Sequence, residues 1–127
     1  MTARGALLGT PNYMAPEMFE GERPVFQTDI YALGVVLYEM LAGEQAIACN
    51  SLPEFVRTVL NEPFPDVRSK RFDAPPWLAK VIATATAKKP EERYQSCEEM
   101  AKALREGMAI ATPETVIAEA RARVRGP

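Results

Sequence analysis

The chain has 127 residues, 47% of them hydrophobic and 25% charged, with a net charge of −2; that suits one globular domain with a real core and excludes wholesale disorder. Fifteen Lys and Arg against seventeen Asp and Glu leave no strongly basic surface for nucleic acid. The absence of histidine excludes imidazole metal ligands, a histidine general base, and any Ser-His-Asp or Cys-His nucleophile.

Residues 1–14 mix glycine, proline, threonine and asparagine, which is loop chemistry. Pro16 is placed to open a short helix at its first position, with Glu17 in the first turn. Gly21 and Pro24 break it. Thr28 or Asp29 then reads as the N-cap of a helix running through Leu41 and stopped by Gly43. Its apolar residues, Ile30 to Leu41, cover nearly every face, so other elements must enclose it. Interrupted by Glu39 and about a dozen residues long, the segment is too short to cross a bilayer. Met1 is not followed by a signal-peptide layout. Cys49 and Cys97 are far apart and read as free thiols of a reducing compartment. A cytoplasmic protein with no membrane partner is the expectation.

Ser51 and Glu54 form a capping-box pattern for a helix to about Asn61, with Phe55, Val56, Val59 and Leu60 as its apolar stripe. Residues 62–76 carry four prolines and read as a loop. Pro76 opens the next helix, with Leu78, Val81, Ile82 and Ala85 inward, and Lys88-Lys89-Pro90 ends it. A second capping box, Ser96 to Glu99, starts a helix to about Met108. Thr112-Pro113 starts a last one to about Val124, with Glu119 and Arg123 one turn apart. No strand of useful length is predicted. The fold class is all-α, five to six helices around one buried apolar helix.

The residues alone offer little chemistry: no glycine-rich phosphate loop and no paired carboxylates on an apolar face. Asp29 stands out as an acid at the head of an apolar helix. It reads either as a cap or as a carboxylate reaching past the helix to a neighbouring backbone.

Three segments, in order, change that. Gly9-Thr-Pro-Asn-Tyr-Met-Ala-Pro-Glu17 resembles the end of the activation segment of Ser/Thr protein kinases. Asp29-Ile-Tyr-Ala-Leu-Gly34 is similar to the start of the central helix of their large lobe. Lys89-Pro-Glu-Glu-Arg-Tyr94 resembles the segment with the family's late arginine, although the family usually has Asp where Lys89 stands. The resemblance covers roughly residues 2–106, giving a partial C-lobe over 1–106 and a C-terminal helix or linker over 107–127.

The resemblance implies roles. Gly9, Thr10, Pro11 and Tyr13 would form the substrate-binding loop, with the Thr10 hydroxyl reaching the catalytic centre. Glu17 and Arg93 would be a buried ion pair that staples this loop to the lower helices. Asp29 and Gly34 would anchor the catalytic loop, and Thr2 falls where activation-loop phosphorylation occurs. Phosphoryl transfer also needs a phosphate-covering loop, a lysine, metal-binding Asp and Asn, and a base. In the family these precede the substrate loop. No His-Arg-Asp or Asp-Phe-Gly stands in this sequence, so no residue is assigned to ATP or Mg²⁺, and the chain alone is expected to be inactive. The expected function is the C-lobe part of a Ser/Thr kinase, with a catalytically dead stand-alone binding or regulatory module as the alternative. The expected partners are a protein or peptide substrate, or the remaining half of a kinase. Without that half, an exposed apolar patch near Ile30 to Val36 and self-association through it are predicted.

Overall fold

A computed structural model describes residues 10–110, together with 117, 120–122 and 124. Thr2, Gly9, Thr112, Pro113, Glu119 and Arg123 lie outside the described residues. The described fold is all-α: α1 Pro16–Phe19, α2 Phe26–Ala42, α3 Leu52–Asn61, α4 Pro76–Ala85 and α5 Cys97–Ile110, with 3₁₀ turns at Thr10–Tyr13 before α1, at Val67–Ser69 between α3 and α4, and at Pro90–Glu92 between α4 and α5. No described helix is long and apolar enough to cross a membrane.

Local chemistry sets most of the helix starts. Pro16 occupies the first position of α1. The Ser51 hydroxyl accepts the Glu54 N–H at 3.3 Å, and the Ser96 hydroxyl accepts that of Glu99 at 3.0 Å. Helix α2 departs from the sequence-based expectation. It begins at Phe26, with Val25 as N-cap, so neither Thr28 nor Asp29 caps it from outside. Valine has no side-chain acceptor. Thr28, one turn inside, accepts the Val25 N–H at 3.0 Å instead. Asp29 sits in the first turn, where a carboxylate favours the positive end of the helix. At the other end Gly43 adopts φ 74°, a left-handed conformation suited to glycine, and its N–H returns to the Glu39 carbonyl at 2.9 Å. Helix α4 stops at Ala85, ahead of the Lys-Lys-Pro segment, where Thr86 turns its hydroxyl onto the Ile82 carbonyl at 2.7 Å.

Helix α2 is the axis of the core. One side packs on α4, which in turn packs on α5: Ile30 meets Val81, Ala85 and Met100, and Trp77 and Leu104 close over them. A second cluster joins Tyr38 to Val67, Ala74 and Ile82, and a third joins Ala15, Tyr31 and Val35. Phe64 sits between the last two, edge-on to Tyr31 at 6.0 Å and to Tyr38 at 5.4 Å. Two glycines allow the helices to approach closely. A methyl group on Gly34 would meet Thr86 Cγ2 at 2.7 Å and Ala85 Cβ at 2.8 Å, and one on Gly107 would collide with the Trp77 ring.

The enclosure of α2 is one-sided. Phe26, Leu33, Val36 and Met40 stay exposed along the face turned away from α4. The exposed stripe therefore includes Leu33 and Val36, but Ile30 is fully buried and is no part of it. Leu78, expected inward, is only half-buried, and Trp77 takes the contact with the core. Cys49 is half-buried and Cys97 exposed, and both are free thiols.

Candidate functional site

Glu17 and Arg93, 76 residues apart, meet in the interior with 3% of each exposed. The contact is a two-pronged fork: Arg93 Nη1 donates to Glu17 Oε2 and Nη2 to Oε1, both at 2.7 Å. The other three guanidinium donors are also used. Nε donates to the Ala87 carbonyl at 2.7 Å, Nη1 to that of Gln27 at 3.0 Å, and Nη2 to that of Lys88 at 3.1 Å. With all five donors satisfied, one side chain ties α1, the first turn of α2 and the segment after α4 together. Its planar cation also lies 5.2 Å from the Tyr31 ring centroid.

Burial alone would push the Glu17 carboxyl up. The Arg93 hydrogen bonds, its own backbone N–H, the Thr28 hydroxyl and the arginine charge together outweigh that and hold it below the usual carboxylate range. Burial pushes the Tyr31 hydroxyl the other way, to about 12.

The Thr10–Tyr13 turn lies just before α1 and rests on α2. The Met14 N–H closes it onto the Pro11 carbonyl at 3.1 Å. Pro11 is buried, whereas Tyr13 is 38% exposed and donates its hydroxyl to Glu39 Oε1 at 2.6 Å. That bond to a carboxylate is the main reason the Tyr13 hydroxyl is raised. An open cleft of about 310 Å³ lies beside it, lined by Asn12, Tyr13, Glu39, Gly43, Glu44 and Gln45. Glu44 in its wall pairs with Lys70 at 3.0 Å.

Asp29 and Gly34 are not brought together. Asp29 is exposed, whereas Gly34 is buried against the end of α4. Among the described residues no three His, Cys, Asp or Glu side chains converge on one position.

The protein kinase domain family model matches residues 2–111. The chain belongs to the protein kinase family. Serine/threonine-protein kinase PknD of Mycobacterium tuberculosis is 38% identical over 109 residues, covering 85% of this chain and 16% of the relative. PknH of Mycobacterium bovis is 37% identical over 108 residues, 85% of this chain and 18% of the relative. PknD of Chlamydia pneumoniae is 39% identical over 100 residues, 79% of this chain and 11% of the relative. The chain thus spans less than a fifth of the length of these curated relatives. The Glu17–Arg93 fork and the Thr10–Tyr13 turn both lie inside the stretch that the family model matches.

Residue-level reasoning missed one group at the site. In the sequence Lys88 reads only as part of a helix stop, yet its Nζ is buried and has no hydrogen-bond partner among the described residues. Burial and the nearby Arg93 charge lower its pKa, against a smaller opposing pull from Glu62. The folded state therefore holds its proton less tightly than the unfolded chain does. Stability should rise with pH as Lys88 passes from its folded-state pKa to its unfolded one. Lys88→Met keeps the stem and removes the unpartnered ammonium, so it is expected to stabilise the chain by about 1–2 kcal/mol at neutral pH. It should also flatten that alkaline rise. Urea unfolding of both chains at pH 7 and pH 10 checks this, and a destabilised Lys88→Met would sink it.

Proposed function

We propose that the chain is the substrate-docking part of the large lobe of a cytoplasmic Ser/Thr protein kinase. On this reading Gly9, Thr10, Pro11 and Tyr13 belong to the end of the activation segment and receive the acceptor peptide. The exposed Asp29 carboxylate takes backbone N–H groups of the catalytic loop, and Gly34 lets its helix lie close to α4. ATP and Mg²⁺ are held by kinase residues other than those of this chain.

The observation that carries the reading is the Arg93 network. It locks Glu17, the residue after the proline that opens α1, into the interior, and the Tyr13 side chain stands at a solvent-open cleft. A turn that rests on α2 and opens onto a cleft suits a loop that must hold a peptide in one place. The match to Ser/Thr kinases over most of the chain supports the acceptor class.

The test is a chimera in which residues 2–111 replace the matching segment of M. tuberculosis PknD. The expected result is transfer of phosphate to a Ser/Thr peptide. Thr10→Val in the chimera should lower kcat about tenfold or more, the worth of one hydrogen bond in a charged site. A folded chimera that binds ATP but phosphorylates nothing overturns the reading and leaves a stand-alone binding module as its replacement.

A further inference from the structure

Thr28 stands at the junction between the head of α2 and the buried ion pair, with 8% of its surface exposed. Its hydroxyl does two things at once. It accepts the Val25 N–H at 3.0 Å and donates to Glu17 Oε2 at 2.9 Å. A hydroxyl has one proton. Because Val25 can only donate, that proton is committed to Glu17, and the direction of the whole chain of bonds is fixed. A carboxylate accepts such a proton, and the Arg93 fork closes on the same oxygen at 2.7 Å. The adjacent backbone takes part as well, since the Gln27 carbonyl accepts from Arg93.

We infer that Thr28 is a positioning residue: its hydroxyl carries the placement of the first turn of α2 to the Glu17 carboxylate, and through Glu17 to the Thr10–Tyr13 turn. Resting on the substrate-loop function proposed above, the inference makes that loop's geometry depend on one hydroxyl that touches neither peptide nor nucleotide. It also separates two jobs of the residue. Capping α2 needs only an acceptor, whereas orienting Glu17 needs the proton.

Thr28→Val keeps the shape and removes both bonds, and Thr28→Ser keeps both bonds and removes a methyl group. The Glu17 carboxyl is followed by ¹³C NMR in the full chain as pH is lowered, and the backbone N–H groups of residues 12–15 are followed by hydrogen exchange. In Thr28→Val the Glu17 midpoint should rise toward the ordinary carboxylate value, and exchange in residues 12–15 should quicken about tenfold. Thr28→Ser should restore both. A residue that only fills space would leave the Glu17 midpoint in place when valine is substituted. An unchanged midpoint in Thr28→Val, or a serine variant that fails to restore it, overturns the inference. If the valine variant does not fold, the wild-type chain decides the matter alone. The Thr28 hydroxyl proton should exchange slowly, and it should be released as pH falls through the Glu17 midpoint. A hydroxyl proton in fast exchange at neutral pH overturns the inference. In the PknD chimera, Thr28→Val should raise the KM for peptide and leave that for ATP unchanged. An inactive parent chimera would remove the substrate-loop function while the Glu17 titration still decides the role of Thr28.

Discussion

Arg93→Ala is expected to lower the stability of the chain by about 3–5 kcal/mol, because it leaves the partner of a buried pair uncompensated. A domain of this size has roughly 5–15 kcal/mol in total, so the loss is a large share of the whole. Glu17 would keep its burial and lose both prongs of the fork, and the carbonyls of Gln27, Ala87 and Lys88 would lose their donor. Arg93→Lys should recover little: an ammonium has three donors and no plane, so it cannot fill five acceptors arranged around a guanidinium. The sign of the pH dependence distinguishes this account from simple loss of packing. In the wild type the Glu17 carboxyl titrates below its unfolded value. Its contribution is therefore present above the ordinary carboxylate range and is lost as pH falls through the lowered pKa. Without Arg93, burial dominates and pushes the same carboxyl up, so the variant's penalty disappears once the group is protonated. The difference in urea midpoint between wild type and Arg93→Ala should be greatest at pH 7 and should shrink toward pH 4. A difference independent of pH would mean that the arginine serves only as packing.

Sequence reading succeeded where the causes are local. Ser51 and Ser96 announce their helices because an N-cap bond spans three residues. The prolines at 16 and 76 mark helix starts for the same reason. The start of α2 was misplaced because Thr28 looks like a cap from the outside and acts as one from the inside, in a turn that begins with an apolar residue. Periodicity identified α2 as apolar all round. It did not show which side the other helices would cover, since that depends on where α4 lies, and α4 leaves Leu33 and Val36 in solvent while burying Ile30. The Glu17–Arg93 contact joins residues 76 apart and has no local signature; only the family resemblance suggested that two such charges belong together. Neither route pointed to Gly107. An interior helix glycine reads as a mild weakness until Trp77 is seen lying against it.

Tyr31→Ala should cost about as much as Arg93→Ala, roughly 3–5 kcal/mol, the range for deleting a buried aromatic ring. The ring is 1% exposed and touches three kinds of neighbour. Ala15 and Val35 pack on it within one apolar cluster, Phe64 meets it nearly perpendicular at 83°, and Arg93 lies against it at 5.2 Å. Removing it opens a cavity beside the ion pair and gives water a path to a guanidinium that the ring now screens. Both effects destabilise, and the second weakens the Arg93–Glu17 attraction by raising the local dielectric constant. Tyr31→Phe keeps the ring. Its hydroxyl, pushed up to about 12, is neutral at any physiological pH, so the loss there should stay near or below about 1 kcal/mol. Tyr31→Leu fills much of the space without a π face and should fall between the two. The urea midpoints of the three variants test the order Phe, Leu, Ala. Equal losses for phenylalanine and alanine would mean that the ring contributes little and the hydroxyl carries the effect. A double-mutant cycle between Tyr31→Leu and Arg93→Ala then isolates the stacking. If the cation is held by the ring, the two losses should be non-additive by roughly 0.5–3 kcal/mol. Strict additivity would reduce Tyr31 to a space-filler, leaving the five hydrogen bonds to hold the arginine unaided.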